Sequence, residues 1–211
     1  TASFAAANLA DFSGSRVVVG DVTNFDPESF RDGNGKVVQG IWLDPARRDL
    51  TGVVKSRTER IFDPEAYSPP LSFVVDLART GMPMGVKLGP GMPHEAIARP
   101  EDIRSEANPH PRVTAQWVEH EGSLVELVLW FNALAQEGVA RTVTVLRQEA
   151  TGQAEDKGLR IHKTTLSSPY SAEQVTPVDE KQTRFPSPGE YLYEPSGAVV
   201  RAHLVQELAQ E

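Results

Sequence analysis

The sequence contains no cysteine among its 211 residues. Disulfides, Cys-ligated zinc, iron–sulfur clusters and thiol nucleophiles are therefore excluded for this chain, which is compatible with a reducing compartment. Long apolar runs are also lacking. The longest, Leu124 to Phe131, is interrupted by Glu126 and is far shorter than the roughly 20 residues that a membrane span needs. We therefore expect a cytoplasmic protein without a membrane partner.

Basic residues are outnumbered, because 21 Lys and Arg stand against 29 Asp and Glu and leave a formal net charge of −8. A uniformly basic coat for nucleic acid is thereby excluded, and any polyanion site must be local. The segment from Ala46 to Arg60 is the exception, since its five basic and two acidic residues give a local charge of +3. It is either an ordinary solvated loop or the place where a polyanion docks.

Several motifs of known chemistry are missing as well. There is no Walker A loop, no GxSxG elbow and no GxGxxG, so P-loop phosphoryl transfer and α/β-hydrolase chemistry are disfavoured. The five histidines show no metal-ligand spacing. We therefore predict no metal site and interpret the histidines as surface or packing residues.

What is present is an alternation of helix and strand patterns over residues 1–150, which predicts an α/β fold with a partial, mostly parallel sheet. The last two strands are separated by nine residues, which favours an antiparallel pair at the end of the sheet. The periodicity predicts helices over 2–12 and 71–80 and strands over 17–19, 37–43, 84–88, 124–131 and 141–147.

A second, smaller domain is predicted after a polar stretch. Gln148 to Gly158 has the composition of a linker, so we place the domain boundary between residues 150 and 151. Residues 151–211 then form a small α+β domain, with a strand candidate over 190–195 and a helix candidate over 198–210.

Charged residues at predicted strand ends are the candidate site. Asp44-Pro45 is a rigid corner, because Pro restricts its own backbone and that of the residue before it. The Asp44 carboxylate could orient or deprotonate an attacking amino group, with Arg47 and Arg48 holding a phosphate. The alternative is a plain Asp-Pro turn with two solvated arginines. Lys87 is either a ligand-binding residue before a glycine-rich loop or the partner of an ion pair.

Asp21 follows the first predicted strand and has two readings as well. Its carboxylate could accept hydrogen bonds from the amino group of a planar ligand such as adenine, or it could cap the turn that follows.

The segments GDVTNF, IWLDPARRD, RIFDPEAYSPPL, MGVKLGPGM, VELVLWF and GEYLYEPSGAVVRAHLV together resemble class I S-adenosylmethionine-dependent methyltransferases with a C-terminal THUMP-like domain. The resemblance implies a Rossmann-like sheet and S-adenosylmethionine as the methyl donor. It places Asp44 and Pro45 opposite the methyl-accepting group, and Asp21 and Val22 beside the adenine of the donor.

The resemblance also bears on substrate and completeness. It implies RNA or another nucleic acid as substrate, and we expect Arg47, Arg48 and Lys87 to bind that substrate. The family has a Gly-rich donor-binding loop before the segment ASFAAANLADF, so we expect an internal fragment with weak or no donor binding, whose exposed sheet edges are covered by a second chain or in a homodimer. The alternative is a non-catalytic module with a degenerate methyltransferase fold that binds nucleic acid or protein.

Overall fold

The computed structural model describes residues 2–12, 14–15, 17–26, 39–46, 63–151, 158–174 and 193–210. The chain divides into two units, Thr1–Ile41 and Trp42–Glu211. No helix in these ranges is both long and apolar enough to cross a membrane.

The first unit begins with helix α1, Ala2–Asn8, which confirms the helix predicted there. The strand predicted over 17–19 is wrong, because Val17 to Val19 form no strand and Val18 and Val19 are largely exposed. A β-branched run needs a paired neighbour to become a strand, and the described residues before position 39 supply none. A single 3-10 turn, Val22–Asn24, follows Asp21.

Apart from Ile41 at the start of β1, the second unit contains the six-stranded sheet, whose order is β1-β2-β4-β3-β5-β6. Its strands are β1 (Ile41–Leu43), β2 (Met84–Leu88), β3 (Val113–His120), β4 (Ser123–Phe131), β5 (Arg141–Thr151) and β6 (Gly158–Ser168). Helix α2 (Leu71–Ala78) connects β1 to β2, and two short helices, α3 (Gly197–Arg201) and α4 (Val205–Leu208), follow the sheet. The fold is therefore α/β with a mixed sheet and few helices.

The strand directions correct the predicted topology. Strand β4 is antiparallel to both β2 and β3, β6 is antiparallel to β5, and β3 and β5 are parallel neighbours. The prediction of a mostly parallel sheet is therefore wrong. Pairing of β4 with β5 is wrong too, because β3 lies between them. Glu121 and Gly122 both have positive φ, the backbone of a two-residue hairpin turn, and this turn joins β4 to β3.

The stretch predicted as a linker also belongs to the sheet. Residues 148–151 are the end of β5 and Gly158 begins β6, and the two strands pair continuously from Arg141↔Ser168 to Thr151↔Gly158. The predicted domain boundary thus falls inside this strand pair. The stretch is polar because the ends of these strands are exposed, as Gln148 and Glu149 are.

The tail after the sheet differs from its predicted elements. Residues 193–195 form no strand, and 190–192 lie outside the described residues. The single helix predicted over 198–210 is divided into α3 and α4, because His203 between them has a φ of 55° that a continuous helix does not accommodate.

The inner face of the sheet forms the core. Side chains alternate along a strand, so Met84, Val86 and Leu88 of β2 point to the same side and are fully buried. Helix α2 adds a buried face, as its periodicity predicts, and Gly81 ends it at a φ of 81°. The largest fully buried side chains are those of Trp117 and Phe131. The outer face carries the other alternating set, to which Trp42, Lys87 and Trp130 belong.

Candidate functional site

The structure brings Asp44 and Lys87 together at one end of β1 and β2. Lys87 Nζ lies 3.2 Å from Asp44 Oδ2, and both side chains are partly exposed. Pro45 is buried, and Ala46 exchanges two backbone hydrogen bonds with Ser68, of 2.9 Å and 3.1 Å. The Asp-Pro corner is therefore held from both sides, and the ion-pair reading of Lys87 is confirmed.

Two tryptophans that the sequence analysis did not single out lie next to this ion pair. Trp42 is in β1 and Trp130 in β4, with ring centroids 5.6 Å apart and planes tilted by 48°. Both rings lie over Gly85 of β2, where an added Cβ would be 2.7 Å from Trp42 and 2.9 Å from Trp130. One signal could have found Trp42, since it stands two residues before Asp44 and strand alternation puts both on one face. We call Trp42, Gly85, Trp130, Asp44 and Lys87 the Asp44 site.

Asp21 lies in the first unit and caps the 3-10 turn. Its Oδ1 accepts hydrogen bonds from the Thr23 backbone N–H at 2.9 Å and from the Thr23 hydroxyl at 2.8 Å. Both bonds lower the pKa of Asp21, and the bond from the backbone N–H has the larger effect. The capping alternative is thus confirmed, whereas the role of Asp21 and Val22 beside an adenine stays a prediction.

The surroundings of Asp21 do not fit S-adenosylmethionine as an enclosed ligand. Asp21 and Val22 are exposed, and a Cβ added at Gly20 would meet no atom within 4 Å. The described residues around Asp21 provide a carboxylate that can accept hydrogen bonds, but they do not enclose a ligand. We therefore assign them no step that involves the donor.

Arg47 and Arg48, predicted to hold a phosphate, lie outside the described residues, as does the rest of the basic segment up to position 60. Among the described residues, no group of three or more metal-ligating side chains is found. Strand β1 is at one edge of the sheet. Its covering by a second chain stays a prediction.

A small cleft of about 60 Å³ opens on the inner side of the sheet, between His94, Arg99 and Arg141. The His94 ring packs against Trp117 and stacks on His203, with ring centroids 5.2 Å and 4.0 Å away. Its Nε2 is 2.8 Å from the Arg201 carbonyl oxygen. Burial lowers the pKa of His94, and the His203 charge lowers it further, while the bond to Arg201 opposes the shift. His94 is thus a packing residue between the sheet and α3.

The lowered pKa of His94 predicts a loss of stability in acid. Below about pH 6.5 the unfolded chain binds a proton at this residue that the folded chain does not, so the free energy of unfolding falls as the pH falls. Urea unfolding at about pH 7.5 and about pH 5.5 measures the difference. We expect His94→Gln to weaken this dependence and His110→Gln, at an exposed position, to leave it unchanged. Equal pH dependence in all three proteins would contradict the assignment.

A scan of protein-family models finds no match to this chain, and searches of the curated proteins and of the solved structures find none either.

Proposed function

We propose that this chain carries the acceptor side of an S-adenosylmethionine-dependent methyltransferase that acts on RNA or another nucleic acid. The observation that carries the proposal is the placement of Asp44. It leaves β1 at the carboxyl end of the strand, at a corner fixed by buried Pro45, and meets Lys87 of the neighbouring strand. In α/β sheets, ligands bind in the crevice outside the carboxyl ends of the strands.

Three strands that run the same way support the same proposal. Strands β2 and β3 point the same way because both are antiparallel to β4, and β5 is parallel to β3. Doubly wound α/β sheets that contain an antiparallel strand carry it at an edge, as β6 is here, and β4, between β2 and β3, departs from that pattern. The succession β1, α2, β2, with β1 and β2 adjacent in the sheet, is also the unit from which such sheets are built.

In this function the Asp44 carboxylate accepts a hydrogen bond from the amino group that receives the methyl group. It orients the nitrogen lone pair and takes up the proton that the nitrogen loses. Lys87 is a positioning residue, since its ammonium holds one carboxylate oxygen at 3.2 Å and leaves the other oxygen for the substrate. Orientation of the nucleophile is the contribution that this corner makes to the rate.

Methyl transfer from labelled S-adenosylmethionine to total RNA tests the proposal, with the complete gene product that contains this chain. Asp44→Asn keeps the size of the side chain and removes its charge, so we expect a loss of rate of about 100-fold or more with little change in melting temperature. Asp76→Asn is the matched control, because Asp76 is also an exposed carboxylate in an ion pair, with Arg79 at 2.7 Å. Undiminished transfer by Asp44→Asn would remove Asp44 from this role.

The second candidate is a nucleic-acid-binding module without catalysis. The exposed ring of Trp42 favours this candidate, because an exposed aromatic ring can bind a nucleic acid without catalysing a reaction. Calorimetric titration of the complete gene product with S-adenosylmethionine separates the two candidates. A protein that binds RNA but gives neither heat with the donor nor methyl transfer is the binding module, and the methyltransferase proposal then fails.

A further inference from the structure

Trp42 combines exposure with a fixed position. Its side chain is 53% exposed on the outer face of the sheet, although a tryptophan ring is among the most costly to leave in water. The ring rests directly on the backbone of Gly85, where any side chain would displace it. A large apolar surface is thus held open to solvent.

The ring is fixed from the side as well. Trp130 packs against Trp42, and its indole N–H donates to Gln116 Oε1 at 2.7 Å. The Gln116 amide in turn donates to Thr144 Oγ1 at 2.8 Å. This chain of bonds crosses three strands, so Trp130 is locked in the sheet and supports Trp42 as a rigid wall. A ring that is already immobilised loses little conformational entropy when something stacks on it.

The open ring and the ion pair share one face of the sheet. Trp42 and Asp44 are two residues apart, which puts their Cα atoms about 7 Å from each other along the chain. Gly85 and Lys87 are likewise two apart in β2, and the contacts Trp42 to Gly85 and Asp44 to Lys87 confirm that all four face the same side. A planar ring stacked on Trp42 would therefore lie on the same face of the sheet as the Asp44 carboxylate.

We infer that Trp42 is a stacking platform for a base of a single-stranded nucleic acid. The occupant follows from charge complementarity. The open ring is bordered by a carboxylate that accepts from the amino group of a base and by an ammonium that can donate to a base carbonyl or a phosphate. The core of a protein interface is depleted of charged residues, so this border is less suited to an apolar protein partner. A base must also be unstacked to offer its face.

The choice of a nucleic acid as the ligand of Trp42 rests on the proposed function. Its binding is nevertheless measured without S-adenosylmethionine and without methyl transfer, so the two proposals are tested separately. A fluorescein-labelled single-stranded RNA of mixed sequence, about ten nucleotides long, is titrated with the chain at fixed salt and followed by anisotropy. We expect Trp42→Ala to weaken binding about 5- to 150-fold, which is the range for the loss of one stacked base, and Trp42→Phe to weaken it less.

Tyr170→Ala is the matched control, because Tyr170 is another exposed aromatic side chain of the same unit, at 59% exposure. It should bind the RNA as the wild type does. Melting temperatures of all variants establish that they are folded, and size exclusion shows whether the Trp42 variants change the oligomeric state. Wild-type affinity in Trp42→Ala, no binding of RNA by the wild type, or a dimer that Trp42→Ala dissociates would each overturn the inference.

The two proposals fail separately. RNA binding that depends on Trp42, without methyl transfer, keeps the stacking platform and removes the methyltransferase. Methyl transfer that Trp42→Ala leaves unchanged keeps the methyltransferase and removes the platform.

Discussion

Arg141→Met is expected to lower the free energy of unfolding by about 3–5 kcal/mol. Arg141 is 2% exposed, and its guanidinium donates to the carbonyl oxygens of Tyr170, Ala202 and His203 at 2.7, 2.6 and 2.8 Å. It also lies 3.4 Å from the Glu207 carboxylate. Burial lowers the pKa of Arg141 and Glu207 raises it. Methionine fills the space but leaves the carbonyls and Glu207 without their donor.

Urea unfolding followed by circular dichroism measures this loss. Arg112→Met is the control, because Arg112 forms an exposed pair with Glu137 at 3.5 Å, and it should cost less than about 1 kcal/mol. Since Arg141 joins β5 to the end of α3, amide exchange over α3 should also rise in Arg141→Met before global unfolding. A loss no larger than that of Arg112→Met would show that Arg141 does not hold the C-terminal helices.

Asn132→Ala is expected to cost about 2–4 kcal/mol of unfolding free energy. Asn132 is buried, and its amide donates to the carbonyl oxygens of Ala78 at 3.0 Å and Met82 at 2.8 Å. Its own carbonyl oxygen accepts from Asn108 Nδ2 at 2.8 Å. These bonds tie the end of β4 to the end of α2, and alanine would remove all three. The Ala78 carbonyl would keep its bonds from Asn108 and Gly81, and the Asn108 amide its bonds to Ala78 and Ile103.

The backbone of Asn132 contributes a second cost that can be separated. Its φ of 57° lies in the left-handed region, which asparagine and glycine tolerate better than alanine. Asn132→Gly therefore removes the same hydrogen bonds without this strain, and we expect it to be more stable than Asn132→Ala by about 1 kcal/mol in urea. Equal stability of the two variants would show that the amide bonds alone matter, and wild-type stability in both would remove Asn132 from the framework.

Local patterns predicted those elements that carry a helical apolar face or a short apolar run. Helix α2 has such a face, and β2, β4 and β5 are short runs rich in apolar and β-branched residues. Strand β3 was missed because Glu119, buried at the N-terminus of α3 where it accepts from the Ala198 N–H, breaks the apolar alternation. Strand β6 was missed because it lies at the edge of the sheet and is largely polar there.

The sequence by itself determined the Asp44-Pro45 corner, the basic side chain of Lys87 before a glycine-rich loop and the absence of thiol chemistry, since these depend on residue types and local backbone restriction. Only the tertiary structure decided that Lys87 reaches Asp44, that Trp130 supports Trp42, and that β4 lies between β2 and β3. Except for the β3–β4 hairpin, each of these pairings joins residues that are separated by more than fifteen positions in the sequence. Such pairings depend on how the faces of several strands and helices pack together. The free energy of that packing depends on all of these segments at once, so no single segment predicts it.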